Sequence, residues 1–420
     1  MYVSGSVKTQ QHLLPSEFEK QASVKLRYHK CPACGSSDIS IIYSIEDVPA
    51  HSVLLMPTYR TAVTYPKGDI YLGFCNGCEF ISNYGFEPAL LEYSSHYEES
   101  QGFSETFNLF HVNLAKQLID RYDLHNKDIV EIGCGKGDFL TLLCEIGKNR
   151  GVGFDPAYVK SRNTSIVKDR MTFVEDFYSQ KYTDIKCDFV CCKMTLEHIH
   201  DVYDFLSTLW KGIYKQKDAV VFFQIPDVDR IVEEGAFWDI YYEHCSYFSE
   251  KSLVNLFENC GFEVMNIWRD FGSQYLMIEA KCAEKGQFNR FFCENNEKKD
   301  LNLLKNMEKF RISLKNSVKK WKDFLEDCDG REDKVVLWGS GSKGTSFLNT
   351  LGLREEIECV VDINSYRWGT YMPGTGQEIV RPEFLKELEP DVVIIMNPVY
   401  LDEIKSSLSQ MGLSPQVVTL

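Results

Sequence analysis

The stretch Val130-Glu131-Ile132-Gly133-Cys134-Gly135-Lys136-Gly137 constrains this chain more than any other. An apolar run ends in an acid, three glycines alternate, and an amphipathic stretch begins. Further on, a second short apolar run, Gly151-Val152-Gly153-Phe154, stops at Asp155. Physically, a buried strand delivers a carboxylate and a Gly-rich turn to the carboxyl edge of a parallel sheet. The missing Cβ atoms let a ligand lie against the backbone, and the second strand offers a carboxylate to a ribose diol. A dinucleotide turn reads G-x-G-x-x-G, with a pyrophosphate on the helix N-terminus. Here the glycines run G-x-G-x-G, and the acid two residues upstream suits a ligand with a cationic amino group and no phosphate.

S-adenosylmethionine (SAM) has those features, and the two segments resemble the first two motifs of class I SAM-dependent methyltransferases. The resemblance implies that Glu131, Gly133, Gly135, Gly137 and Asp155 contact the cofactor. It places Asp176, in FVEDF, where such enzymes bring an acid to the adenine edge. In CCKMTLEHIHD, Met194 and Thr195 end a strand beside the cofactor. Glu197 reads as an acid serving the dipole of a first helical turn. His198 and His200 read as capping or surface residues.

A chain of 420 residues is too long for one core, and two to four domains are expected. A polar tail (1–25) precedes a turn-rich region (26–95). Strand-like and helix-like runs then alternate over 96–285 and close on a hairpin pair, the pattern of a doubly wound sheet. A helical connector (286–330) follows, with Leu303, Leu304, Met307, Phe310, Leu314, Val318, Trp321 and Leu325 at helical spacing. A second, smaller α/β unit occupies 331–420. The net charge of −15 opposes a nucleic-acid partner. The N-terminus lacks a signal-peptide core, and no run reaches the roughly 18 apolar residues of a membrane span. The expectation is a cytoplasmic monomer or weak homo-oligomer acting on a small molecule, with no membrane partner.

Of fifteen cysteines, four are arranged, in Cys31-Pro-Ala-Cys34 and Cys75-Asn-Gly-Cys78. Two such knuckles offer four thiolates to one tetrahedral zinc ion, and an all-sulfur site with no open position is structural. Gly35 and Gly77 are expected to relieve the turns. The remaining thiols fall mostly in apolar runs and behave as small buried hydrophobes.

The segment Trp238-Asp-Ile-Tyr241-Tyr242-Glu243-His244-Cys245-Ser246-Tyr247-Phe248-Ser249 follows a sheet edge at Gln224-Ile225-Pro226-Asp227. A histidine preceded by Glu and Tyr beside a SAM site fits carbon methylation. A C–H bond next to a ketone must first lose its proton to a base near neutral pKa, while donors hold the enolate oxygen. A tyrosine can donate so, and a carboxylate can orient the imidazole. From this stretch alone, a core histidine in an aromatic cluster is an equal reading.

The order of zinc knuckles, SAM motif, EH-x-SYFS segment and small α/β tail resembles the sugar C-methyltransferases of deoxysugar biosynthesis. These methylate nucleotide-linked 4-keto-6-deoxy sugars beside the ketone. Their Tyr-x-Glu-His motif maps onto Tyr241, Glu243 and His244, which implies His244 as base with Tyr241 and Glu243 positioning sugar and enolate. The family's further catalytic-site tyrosine maps to Tyr97, with Tyr93 as second choice. Where the family commonly has V-E-V-P, this chain has Phe223-Gln224-Ile225-Pro226.

Leu337-Trp338-Gly339-Ser340-Gly341-Ser342-Lys343-Gly344 is a literal G-x-G-x-x-G after a strand, and Asp362 ends the next strand. Alone it predicts a nicotinamide site. The resemblance implies instead a substrate-binding domain whose loop and Pro373-Gly374-Thr375-Gly376 segment pack over the cleft and hold the nucleotide. Gly341, Lys343 and Gly344 then become diphosphate contacts, although a packing role for these glycines is equally open. Three alternatives stand beside the C-methyltransferase reading. A bifunctional enzyme with a reductase tail would need a Tyr-x-x-x-Lys pair, which does not follow the loop. An O-methyltransferase of polysaccharide or small molecules would leave Glu243-His244 idle. A zinc-dependent nucleic-acid or protein methyltransferase is opposed by the acidic balance.

Overall fold

The computed structural model describes residues 26–163, 165–284, 288–290 and 301–420. The polar tail 1–25 and residues 286–287 and 291–300 of the connector lie outside the described residues.

The N-terminal lobe is an antiparallel sheet of β1 (Ile39–Pro49), β2 (Lys67–Cys75) and β3 (Ile81–Asn83), with a short helix α1 (Tyr59–Val63). Both cysteine knuckles sit at one end of it. The first turn closes with Gly35 N–H donating to Cys31 O, and Gly35 takes a φ of 76°. In the second turn the left-handed residue is Glu79, with a φ of 64°, and not Gly77 as expected. The backward turn falls one residue after the second cysteine in both knuckles, so Gly77 carries no such conformation.

The central domain opens with α2 (Glu105–Tyr122), followed by β4 (Asp128–Ile132), α3 (Asp138–Ile146), β5 (Arg150–Phe154), β6 (Met171–Val174), β7 (Phe189–Lys193), α4 (Val202–Ile213), β8 (Val220–Pro226) and α5 (Val228–Glu234). A two-residue strand, β9 (Ser246–Tyr247), leaves this domain and pairs antiparallel with β3. Then come α6 (Glu250–Asn259), β10 (Phe262–Asp270) and β11 (Tyr275–Cys282). The seven-stranded sheet has the order β10-β11-β8-β7-β4-β5-β6, and only β11 runs against its neighbours. This is the class I methyltransferase arrangement. Strands covered on both faces read as continuous apolar runs, and every residue of β7, Phe189 to Lys193, is buried. The chain reverses its strand order between β4 and β7, and that switch point opens a crevice at the carboxyl ends.

After the connector helix α7 (Leu301–Gly330) the C-terminal lobe follows. It comprises β12 (Val335–Trp338), α8 (Ser342–Leu351), β13 (Val360–Val361), β14 (Ile379–Val380), α9 (Leu385–Leu388), β15 (Val392–Ile395), α10 (Leu401–Gln410) and β16 (Gln416–Thr419). Its strands are all parallel in the order β14-β13-β12-β15-β16, a Rossmann-like half. One apolar cluster unites the lobes, joining Ile70 of β2, Phe237, Phe310 and Trp321 of α7, Phe347 of α8 and Val360. The walls of the crevice are therefore held together by a packed core. The Pro373–Gly376 segment does not reach the crevice, contrary to expectation. Gly374 N–H donates to Ala62 O of α1 at 2.9 Å, and a Cβ at Gly376 would lie 2.5 Å from the Tyr59 ring.

Candidate active site

A cavity of about 790 Å³ lies where all three parts meet. Its floor is the Gly-rich turn. Gly133, Gly135 and Gly137 adopt φ values of 69°, 53° and 87°, a region costly for other residues. A Cβ at Gly133 would lie 1.9 Å from Thr195 Oγ1, and one at Gly135 would lie 2.6 Å from Glu99 Oε1. Beside this cradle Glu131 is 2% exposed, and its Oε2 has no hydrogen-bond partner among the described residues. Burial pushes its pKa up to about 8, against the opposing charge of Lys193. Asp155 accepts from Gly135 N–H at 2.9 Å and from Ala157 N–H at 2.7 Å, bracing the turn. Met194, in a left-handed conformation with φ 49°, also lines the cavity. Asp176 stands at the rim, where its carboxylate accepts from the Tyr182 hydroxyl at 2.6 Å and pairs with Lys181.

The sequence reading passed over several groups. Lys136, 3% exposed, donates from Nζ to Tyr97 O and Ala157 O, each at 2.8 Å, and pairs with Glu99 at 3.3 Å. Its place inside the glycine run was the available signal. Lys193 Nζ lies 2.8 Å from His111 Nε2 and 3.8 Å above the Phe139 ring. Burial, then the Lys193 charge, depress the His111 pKa to about 2. Glu98 pairs with Arg162 at 2.8 Å and accepts from Asn364 Nδ2 at 2.9 Å, tying the cofactor-side loop to the C-terminal lobe.

The Tyr241–Cys245 loop brings Tyr241 and His244 to the same cavity. Cys245 O accepts from Asn83 N–H at 2.9 Å and Ser82 Oγ at 2.8 Å, while Cys245 N–H donates to Glu197 O at 2.9 Å. The loop is thus clamped between β3 and the Leu196–His198 turn. His244 is 4% exposed, and its Nε2 lies 2.7 Å from the Tyr241 hydroxyl. Its Nδ1 has no hydrogen-bond partner among the described residues. Burial, then the charges of His198 and Lys343, hold its pKa well below the usual imidazole value, so the ring is neutral near pH 7. Tyr93 and Tyr97 both line the cavity, and the Tyr93 hydroxyl lies 3.1 Å from His198 Nδ1.

Four expectations are corrected here. Glu243 does not orient His244. Its carboxylate turns the other way, 2.9 Å from His51 Nδ1, and accepts from Ser52 N–H at 2.8 Å and from the Ser52 hydroxyl. Tyr241 to His244 form a tight turn closed by His244 N–H donating to Tyr241 O at 3.1 Å, and Glu243 anchors the N-terminal lobe while His244 lines the cavity. Neither His198 nor His200 is a surface residue. His198 lines the cavity with its ring 4.9 Å from that of His244, and His200 stacks on Tyr28 at 3.9 Å. Glu197 serves no α-helix dipole; it sits in a single 3₁₀ turn, 1% exposed. Lys343 lines the cavity together with Gly341 and Gly344, but its charge is taken by Asp239, 2.6 Å away, which also pairs with Arg230. A Cβ at Gly344 would lie 2.4 Å from Gly339 O, a packing requirement. Asp362, just after β13, accepts from Ser340 N–H of the glycine loop at 3.0 Å.

Two family models match this chain: a methyltransferase domain over residues 108–267 and a C-methyltransferase C-terminal domain over residues 273–414. It is 25% identical to C-methyltransferase NovU of Streptomyces niveus over 306 residues, 69% of this chain and 71% of that one. Ribosomal protein L11 methyltransferase of Haemophilus influenzae (strain PittEE) is 30% identical over 105 residues, 23% of this chain and 35% of its own length. Among solved structures, 1,6-didemethyltoxoflavin-N1-methyltransferase of Burkholderia thailandensis, with S-adenosylhomocysteine bound, superposes with a TM-score of 0.33 at 14% identity. That match covers 41% of this chain and 79% of the other. Magnesium protoporphyrin IX methyltransferase of Synechocystis PCC 6803 gives a TM-score of 0.33 at 15% identity, over 42% and 84%. The two family models follow one another from the first helix of the central domain to the end of the C-terminal lobe, and the chain is a methyltransferase that is similar to C-methyltransferases.

Proposed function

We propose that the protein transfers the methyl group of SAM to a carbon adjoining the ketone of a nucleotide-linked keto-deoxysugar. The observation that carries this reading is a neutral, enclosed histidine that lines the cavity floored by the glycine cradle and whose Nδ1 has no hydrogen-bond partner among the described residues. Methylation of oxygen or nitrogen needs little beyond alignment, whereas an α-carbon needs a base. SAM, when bound, supplies an electrophilic methyl on a sulfonium centre.

Gly133, Gly135 and Gly137 offer the Cβ-free surface for SAM, and Glu131 meets its amino group with the unpartnered Oε2. Asp155 reaches the ribose, Asp176 the adenine edge, and Met194 flanks the reacting end. His244 removes the proton next to the ketone, and the hydroxyls of Tyr97 and Tyr241 face the oxygen on which charge develops. Nucleotide contacts in the C-terminal lobe come from the backbone of Gly341 and Gly344, because Lys343 is neutralised by Asp239. Gly133→Ala is expected to abolish SAM binding measured by titration calorimetry. Its left-handed backbone alone costs on the order of 1–2 kcal/mol, and the new methyl would collide with Thr195.

The cysteine quartet fits structural zinc. Cys31 and Cys78 sulfurs lie 3.6 Å apart, Cys34 and Cys75 sulfurs 3.5 Å apart, and all four lie within 4.8 Å of one another. Tetrahedral thiolates at about 2.3 Å from zinc would be about 3.8 Å apart.

The deciding experiment is incubation with dTDP-4-keto-6-deoxyglucose or GDP-4-keto-6-deoxymannose in deuterated water, without and with SAM. Deuterium next to the ketone in the first case, and a new C–CH3 group in the second, are expected. Methyl found only on oxygen, with no exchange, would refute carbon methylation.

A further inference from the structure

One group near His244 has no task in the scheme above. Glu197 is 1% exposed, and neither of its carboxylate oxygens has a hydrogen-bond partner among the described residues. Leaving a carboxyl so buried and unsatisfied is costly unless the site uses it. Its Oε1 lies 3.9 Å from His244 Nε2, and Glu197, His198 and His244 bring one polar atom each within 4.8 Å of one another. Glu197 does not line the cavity, so it acts only through His244. Its backbone carbonyl holds Cys245 N–H at 2.9 Å, which fixes the carboxyl relative to the histidine loop.

We infer that Glu197 is the positioning residue for His244, favouring the tautomer whose unpartnered Nδ1 is free to take the substrate proton and accepting the proton that His244 passes on. The inference rests on His244 being the base. In the resting state Nε2–H donates to the Tyr241 hydroxyl oxygen, 2.7 Å away, with Glu197 behind it. The substrate C–H bond breaks, its electron pair enters the enolate, and the proton forms Nδ1–H. The imidazolium then gives its Nε2 proton to the Glu197 carboxylate, whose Oε1, 3.9 Å away at rest, must first close to hydrogen-bond distance. The ring returns to neutrality as the other tautomer, and Glu197 becomes the neutral acid. No co-reactant is needed.

The titratable groups around Glu197 are His244, Tyr241 and Cys245 of the clamped loop, His198 of its own turn, Tyr93, Cys192 of β7 and Tyr275 of β11. Burial pushes the Glu197 pKa up to about 8. His198 is held down at about 4 and His244 well below its usual value, so both stay neutral while Glu197 ionises. The carboxylate form, which accepts the proton, grows as pH rises. Turnover limited by proton abstraction should therefore climb through about pH 8.

The test measures deuterium exchange next to the ketone of the two keto sugars named above, without SAM, for wild type, Glu197→Gln and Glu197→Asp. Glu197→Gln is expected to slow exchange roughly a hundredfold and to lose the rise through about pH 8, with KM and SAM affinity unchanged. Glu197→Asp should recover part of the rate and the alkaline limb. Wild-type exchange matched by Glu197→Gln in rate and pH profile would overturn the inference and leave the carbon-methylation reading standing. If both variants lose SAM binding and melt at lower temperature, Glu197 is merely structural and the inference is again overturned. Absence of exchange in wild type would instead overturn the function itself.

Discussion

His244→Ala is expected to lower turnover by about a thousandfold, the middle of the range for a removed general base, while SAM affinity stays within a factor of about two of wild type. The histidine sits on the Tyr241–Cys245 loop, and its ring contacts are Tyr241, His198 and Tyr247, none of them part of the cradle. Truncation leaves the loop's clamps intact, because Cys245 is held through backbone groups and Ser82. The melting temperature should therefore move little. Calorimetric SAM titration beside a methyl-transfer assay separates the outcomes. A variant that loses both activities together would argue that His244 is a packing residue, the equal reading its sequence context allowed.

Removal of the zinc proposed for the cysteine quartet is expected to have the largest effect on stability. Structural zinc in small all-cysteine or mixed sites contributes apparent binding energies of about 10–16 kcal/mol, and the N-terminal lobe is small. Its sheet also holds the Tyr241–Cys245 loop, since β9 pairs with β3 and Asn83 and Ser82 both bind Cys245 O. Stripping the ion with a strong chelator should lower the melting temperature by tens of degrees and abolish turnover. The central sheet should still bind SAM, because the cradle takes no residue from the knuckles. Atomic emission should return one zinc per chain. Protein prepared free of metal with unchanged melting and activity would dismiss the site.

Local pattern was enough wherever a residue's role is set by its own backbone or its immediate neighbours. Glycines at alternate positions after an acid predict a left-handed turn, and all three adopt it. The C-x-x-C spacing predicts two knuckles, and their sulfurs converge. Long apolar runs predict covered strands, and β7 and β8 are almost entirely buried. Motif logic faltered where the partner comes from elsewhere in the chain. Glu243 adjoins His244 in sequence, yet its carboxylate belongs to His51 and Ser52, nearly two hundred residues upstream. Lys343 lies in a loop suited to phosphate, and an aspartate from the central domain has already claimed it.

The sequence by itself determined the sheet, the cradle and the four-cysteine cluster, because φ preference, hydrophobic period and ligand spacing are short-range properties. Only the tertiary structure decided which way each carboxylate and imidazole turns. Glu197 and His198 looked like ordinary helix-start residues until the N-terminal sheet pressed the His244 loop against them. Burial, partner and pKa are properties of that assembled contact, and charge interactions across it depend on distances that no linear spacing specifies.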